Sequence, residues 1–310
     1  MSIVPRGSDA PAETLRLAVA ARSEAAGRAE NQDVAMALAL PAATGAPAED
    51  FLLLVADGMG GAPAGDVASH IAANTLRDAF EVMPEGDLGR ALKGAYRKAN
   101  DAVFAASQAS PERAGMGTTL TTALLHGKYA TIANVGDSRA YLLRGGGLTQ
   151  ITRDHTVVAD DVAAGKLKPA EARTDARRNQ LTHVLGTQAR LDTRLPGIFE
   201  LTLLPGDRLL LCSDGLYDPL DQVDIQRVML AQEVDAAAIA LVDLARERGT
   251  TDNATAVVAV AVPTRVPAAG VIEAIEHPTG GKIGTTMIAV IAVLVLLLTA
   301  LALYVLVFSQ

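Results

Sequence analysis

The sequence predicts an α+β fold built on antiparallel sheets, with one transmembrane helix at its C-terminus. Three observations carry that reading. Strand signals follow one another across short glycine turns, while helical patterns form a separate block; this favours hairpins over βαβ crossovers. No G-x-G-x-x-G and no phosphate-loop lysine appears, so a doubly wound nucleotide-binding sheet has no support. Met287 to Phe308 is a run of 22 residues without a formal charge. As a helix it would span roughly 33 Å at about 1.5 Å per residue, enough to cross a bilayer core.

Residues 1–12 read as a loose arm, and the soluble domain as 13–262. Val34 to Leu38 is strand-like, and the apolar run Phe51 to Ala56 is a second strand. Val67, Ile71, Leu76 and Phe80 roughly share a face, which predicts a helix over 65–83; Leu88, Leu92, Tyr96, Ala99 and Val103 keep the helical period over 87–107. Strands are then expected at Thr118–His126, at Lys128–Val135 after the turn at Gly127, and at Arg139–Arg144. Gly145-Gly146-Gly147 turns the last of these into Leu148–Thr152. Residues 155–180 are polar, with short helical pieces, and read as an inserted flap. Strands return at 198–203 and 208–213, a last helix lies near 235–248, and Ala254–Val262 closes the domain. Residues 263–284 read as a Pro- and Gly-containing linker, and 285–308 as a transmembrane tail anchor. Lys282 before the span and the lack of an export signal put the domain on the cytoplasmic side of the cell's inner membrane.

The formal charge of −8 argues against nucleic acid as a partner, because phosphate backbones want clustered Lys and Arg. The one cysteine, Cys212, rules out a disulfide within the chain. Trp is absent, and aromatics are few, so the core must be aliphatic.

Two apolar runs each deliver a carboxylate to a glycine turn: Phe51–Ala56 ends in Asp57-Gly58-Met59-Gly60-Gly61, and Arg208–Ser213 ends in Asp214-Gly215. Asp33, Asp137 and Asp252 also stand beside strand-like runs. One such Asp is an ordinary turn former. Five together, three of them as Asp-Gly or Asp-Asn, with no Cys/His ligand spacing, make an oxygen-only donor set that selects Mg2+ or Mn2+ over Zn2+. Without cations these carboxylates would repel one another and take up protons. A bridged pair of ions resolves that and generates a nucleophile from water at neutral pH. Arg28, five residues before Asp33, suits a phosphate oxyanion. The inferred chemistry is hydrolysis of a phosphoester by a metal-bound water.

These residues resemble the metal-dependent type 2C serine/threonine protein phosphatases (PPM) of the bacterial type, with motifs in family order. Gly27-Arg28-Ala29-Glu30-Asn31-Gln32-Asp33 is similar to the opening motif, and Val55-Ala56-Asp57-Gly58-Met59-Gly60-Gly61 to the metal turn. Gly115-Met116-Gly117-Thr118-Thr119, Asn134 to Tyr141, Thr152 to Thr156, Leu181 to Gly186, Cys212 to Leu216 and Asp252-Asn253-Ala254-Thr255 continue it. The resemblance implies a four-layer α-β-β-α sandwich of two antiparallel sheets flanked by helices. It implies two Mn2+ or Mg2+ ions bridged by Asp57, with the Gly58 carbonyl, Asp33, Asp214 and Asp252 completing the shell, and a third ion at Asp137 and Asp214. Arg28 would bind the substrate phosphate, and phosphorylated proteins, Ser/Thr kinases and their targets among them, would be the partners. Two departures stand out. Met59 occupies the position where some members carry a proposed general-acid histidine, and Gln32 stands where many have Glu.

A cysteine phosphatase using Cys212 is rejected, because position 218, where such enzymes usually carry Arg, is Asp and would repel phosphate. The remaining alternative is a catalytically silent phosphatase-like module tethered to the membrane. Such a module would be expected to lose carboxylates, whereas all five and Arg28 are present. His155 and His183 are read as flap anchors.

Overall fold

The computed structural model describes residues 15–41, 50–61 and 63–263. Among these, β1 (Leu15–Glu24), β2 (Asp33–Leu40) and β3 (Asp50–Met59) lead into α1 (Ala64–Ala79) and α2 (Leu88–Gln108). A run of strands follows: β4 (Gly117–Thr118), β5 (Leu120–His126), β6 (Tyr129–Val135), β7 (Arg139–Arg144) and β8 (Gly147–Gln150). The flap carries α3 (Val157–Ala163) and α4 (Pro169–Ala172). β9 (Gly197–Thr202), β10 (Arg208–Cys212), α5 (Asp214–Tyr217), α6 (Gln222–Ala231), α7 (Val234–Glu247) and β11 (Ala254–Pro263) complete the domain.

One sheet has the order β1-β11-β10-β7-β8 and the other β2-β3-β5-β6-β9, with β4 paired to β3; every pairing is antiparallel. Side-chain alternation sorts the residues into layers. On β3, Leu53 and Val55 join Leu209, Leu211 and Val257 of the opposite sheet in a core between the sheets. Their neighbours Leu52, Leu54 and Ala56 pack outward against Ala68, Ala72 and Leu76 of α1 and Leu92 and Tyr96 of α2. On the other side Leu210, Cys212 and Val258 meet Ile225 of α6 and Leu241 and Val242 of α7. The result is the expected four-layer α-β-β-α sandwich. The buried residues between the sheets are all aliphatic, but the outer layers also bury Phe80, Tyr96, Tyr141 and Tyr217, which corrects the expectation of a wholly aliphatic core. Cys212 is buried, its thiol pushed up to about 12 chiefly by that burial, which makes it inert packing.

The helices begin where their chemistry allows. Asp87 caps α2 by accepting the Arg90 amide at 2.9 Å, and Thr156 caps α3 by accepting that of Ala159 at 3.2 Å. Two further expectations are corrected. Asp57 is not in a turn: β3 runs on to Met59, because Gly58 pairs with Thr118 and Met59 with Gly117. Likewise β10 stops at Cys212, since Ser213 is the N-cap of α5 and Asp214 its first residue. Neither β1 nor α6 was anticipated. The arm 1–12, the linker from 264 and the anchor 285–308 lie outside the described residues. Among the described residues no helix is long and apolar enough to cross a membrane.

Candidate metal centre

The same alternation that builds the inter-sheet core also ends it. Asp57 continues the inward face of Leu53 and Val55, and Asp33 the inward face of Ala35 and Ala37. Asp33 and Asp57 are direct partners on neighbouring strands, so two carboxylates share the last rung of the sandwich. Around them the filling turns from aliphatic to polar. Thr119 accepts the Asp57 amide at 3.0 Å and shares a 2.8 Å hydroxyl contact with Ser138. Thr121 donates to Asn134 at 2.6 Å.

Asp33 is held hard. Its Oδ2 accepts the hydroxyls of Ser213 and Thr255, each at 2.7 Å, so two neighbouring strands of the opposite sheet grip one oxygen. Its other oxygen, Oδ1, is buried without a hydrogen-bond partner, and so is Oδ1 of Asp214. Such orphans are rare in folded proteins and mark a place where another electrophile belongs.

Glycines let the loops crowd together. A Cβ at Gly58 would stand 2.1 Å from the Gly65 carbonyl oxygen, and one at Gly215 would stand 2.0 Å from that of Asn253. The second approach brings the turn of Asp214 against that of Asp252, whose Cβ lies 3.2 Å from the same point. Asn253 then clamps the opening loop: its side chain donates to the carbonyls of Ala25 (3.0 Å) and Glu30 (2.8 Å) and accepts the Gln32 amide (2.9 Å). Arg28 rides on that loop, exposed, with one guanidinium nitrogen 2.6 Å from Asp252 Oδ2. That bond, together with the charges of Asp57 and Asp214, keeps Arg28 protonated.

Electrostatics shows the convergence most directly. Asp57 is pushed well above the usual carboxylate range by burial and then by Asp33, Asp214, Asp137 and Asp252, the other four aspartates of the sequence reading. Burial lifts Asp33 to about 6 against the pull of its two hydroxyl donors. Asp137 rises to about 7 by burial and the charge of Asp154, and Asp214 rises by burial, Asp137 and Asp218. Four such groups, gathered with Asp252, call for cations at neutral pH. Among the described residues no three His, Cys, Asp or Glu side chains are by themselves arranged to hold one ion. An ion here would therefore complete its shell with water and backbone oxygen, as Mg2+ characteristically does. The orphaned oxygens, the oxygen-only donors and the raised pKa values together fit a divalent-cation centre.

Asp137 sits on the β6–β7 turn and is braced from two sides. Tyr217, at the end of α5, donates its hydroxyl to the Asp137 carbonyl at 3.0 Å. Arg139 lies 3.6 Å above the Tyr217 ring and forms a bidentate pair with Asp154 at the root of the flap, the closest contact 2.6 Å. His155 is the flap anchor expected of it: its Nδ1 accepts the Gly136 amide at 3.0 Å, and its own amide donates to the Gly136 carbonyl at 3.0 Å. Burial and His183 lower it to about 4, so the ring is neutral. Met59 is 37% exposed beside the centre and offers no proton.

Sequence reasoning missed Ser213, Thr255, Asn253 and Tyr217. Thr255 was legible in one respect: it shares a strand face with Val257 and Ala259.

Residues 22–238 match the model of the protein phosphatase 2C family. The chain is 40% identical over 247 residues to a serine/threonine protein phosphatase, PstP, of Mycobacterium tuberculosis, covering 79% of this chain and 45% of that protein. It thus spans less than half the length of this relative. A serine/threonine phosphatase of Listeria monocytogenes is 32% identical over 209 residues, covering 66% of this chain and 82% of its own. Among solved structures, the catalytic domain of PstP in complex with 2 manganese ions superposes with a TM-score of 0.70 at 40% identity, covering 80% of this chain and 100% of that one. The match takes in all of one sheet, β7, β8 and β10 of the other, and four of the five converging aspartates, and this chain belongs to the protein phosphatase 2C family.

Proposed function

We propose that the chain is a metal-dependent serine/threonine protein phosphatase, tethered to a membrane by its C-terminal segment. The observation that carries the activity is the shared rung of Asp33 and Asp57, with buried carboxylate oxygens on Asp33 and Asp214 that no protein group satisfies. In this reading Asp57, the Gly58 carbonyl, Asp33, Asp214 and Asp252 would hold two Mn2+ or Mg2+ ions, and Asp137 with Asp214 would hold a third. When bound, such ions neutralise the phosphoryl oxygens and supply a water-derived nucleophile at neutral pH.

The protein's own groups do the rest. Ser213 and Thr255 fix the Asp33 carboxylate in one orientation, and Thr119 fixes the Asp57 backbone. Arg28 is exposed and permanently charged, so it can leave or share Asp252 to grip a phosphate with two parallel hydrogen bonds. Met59 has no proton to give, so the leaving serine or threonine oxygen takes its proton from water. The products are the free hydroxyl and inorganic phosphate. Substrates are phosphorylated proteins, Ser/Thr kinases and their targets among them. The uncharged run Met287–Phe308 supports the membrane tether, with the catalytic domain on the cytoplasmic side of the inner membrane.

Asp57→Asn is expected to abolish Mn2+-dependent hydrolysis of p-nitrophenyl phosphate and of a phosphothreonine peptide while the circular dichroism spectrum is kept. Full activity in this variant would sink the two-metal assignment. Deleting residues 283–310 should release a soluble, active enzyme from membranes; an unfolded product would make the tail a core element instead.

A further inference from the structure

Beneath the flap lies a cavity of about 750 Å³. One wall is made by α3 and α4, and the other by β7, β8 and the segment from Tyr217 to Ile225. Its charged lining is four arginines, Arg139, Arg153, Arg173 and Arg178, against two aspartates, Asp154 and Asp218. In a chain of net charge −8 this is a locally positive chamber. Its apolar lining includes Val158, Val162, Leu220 and Ile225.

The arginines differ in how firmly they are committed. Arg139 is bound bidentately to Asp154, and Arg153 donates to Asp160 at 2.8 Å. Arg178 holds Asp218 only loosely, at 3.8 Å. Arg173 is exposed, and among the described residues it has no ion pair. Two flap cations are thus available to an anion, and guanidinium groups match carboxylates and phosphates in shape as well as charge.

The chamber shares a wall with the metal centre. Tyr217 and Asp218, which line it, end the helical turn that begins with Asp214, and Tyr217 also bonds the Asp137 carbonyl. An extended peptide advances about 3.3 Å per residue, so a chain with its phosphoresidue at the aspartates reaches the chamber within a few residues. We infer that the chamber is a specificity site for an acidic segment of the phosphoprotein substrate, with its carboxylates or a second phosphate on Arg173 and Arg178 and an aliphatic side chain against Val158 and Val162. This rests on the phosphatase reading given above.

The test uses the full chain with Mn2+ and a set of phosphothreonine peptides in which one Asp is moved from five residues before to five after the phosphoresidue, beside all-Ala and single-Lys versions. For the native chain, kcat/KM should rise about tenfold for Asp over Ala at one or two neighbouring positions. Arg173→Glu and, separately, Arg178→Glu should erase that preference and favour the Lys peptides, while Arg173→Lys keeps it. Hydrolysis of p-nitrophenyl phosphate, too small to reach the chamber, should stay unchanged in all three. An Asp preference that survives both Glu variants, or no preference in the native chain, overturns the inference. Absence of any Mn2+-dependent p-nitrophenyl phosphate hydrolysis by the native chain would instead overturn the phosphatase reading.

Discussion

Replacing Asp33 with Asn should stabilise the metal-free protein and remove its response to metal. The carboxyl of Asp33 is raised from 3.8 to about 6 in the fold, chiefly because burial disfavours its charged form. A carboxyl raised in the folded state binds its proton more tightly there than in the unfolded chain. It therefore costs nothing below pH 4, costs progressively more between about pH 4 and 6, and carries its full penalty above that. Two pKa units at 1.36 kcal/mol each give about 3 kcal/mol at neutral pH. Asn keeps a carbonyl oxygen for the hydroxyls of Ser213 and Thr255 and sheds the charge. In EDTA at pH 7.5 the variant should melt roughly 6–12 °C above the native chain, at 2–4 °C per kcal/mol for a domain of this size. At pH 4 the gap should close. In saturating Mn2+ the order should invert, since the native chain gains binding energy that the variant lacks. Scanning calorimetry of both proteins under the three conditions decides it. A variant less stable than the native chain in EDTA at pH 7.5 would refute the reasoning, because the buried carboxylate would then be a welcome charge without any cation.

Gly58→Ala would drive a methyl into the backbone of Gly65, where no side chain can yield, and should cost about 1–3 kcal/mol in urea unfolding together with most of the activity. Gly94→Ala, a glycine on α2 with nothing within 4 Å of its new Cβ, is the control and should be neutral or stabilising. His155→Ala removes the acceptor for the Gly136 amide and should cost about 1–3 kcal/mol while speeding proteolysis within residues 157–180. Because His155 titrates near 4, it should add no step to the pH–rate profile between pH 5 and 8. Unchanged proteolysis would mean that the histidine does not anchor the flap.

The helices α1, α2 and α7 and most strands were legible because each obeys a local period that its own residues display. The strand β1 was not, although Leu15 and Leu17 alternate with Arg16 and Ala18, because its short apolar side chains weaken the contrast between faces. The helix α6 was hidden for a different reason: Val223 and Leu230 lie exposed, so the apolar stripe is blurred. At the centre, all five aspartates could be picked out from their turn-like settings. What held them could not. Ser213 and Thr255 lie 180 and 222 residues from Asp33, and only the pairing of β10 with β11 brings both to one carboxylate oxygen. The Asp-Gly pairs were half legible: the glycine beside Asp57 does let backbone crowd close, against Gly65, but the chain continues as strand there and does not turn.

The pairing of β1 with β11 sets the polarity of the whole domain. Glu24 meets Ala254 at the aspartate pole, and Leu15 meets Pro263 at the other, ten residues and about 30 Å away. The described chain therefore both enters and leaves at the pole remote from its chemistry. Both ends of the described chain thus open at the base of the sandwich, ten residues of strand away from the aspartates.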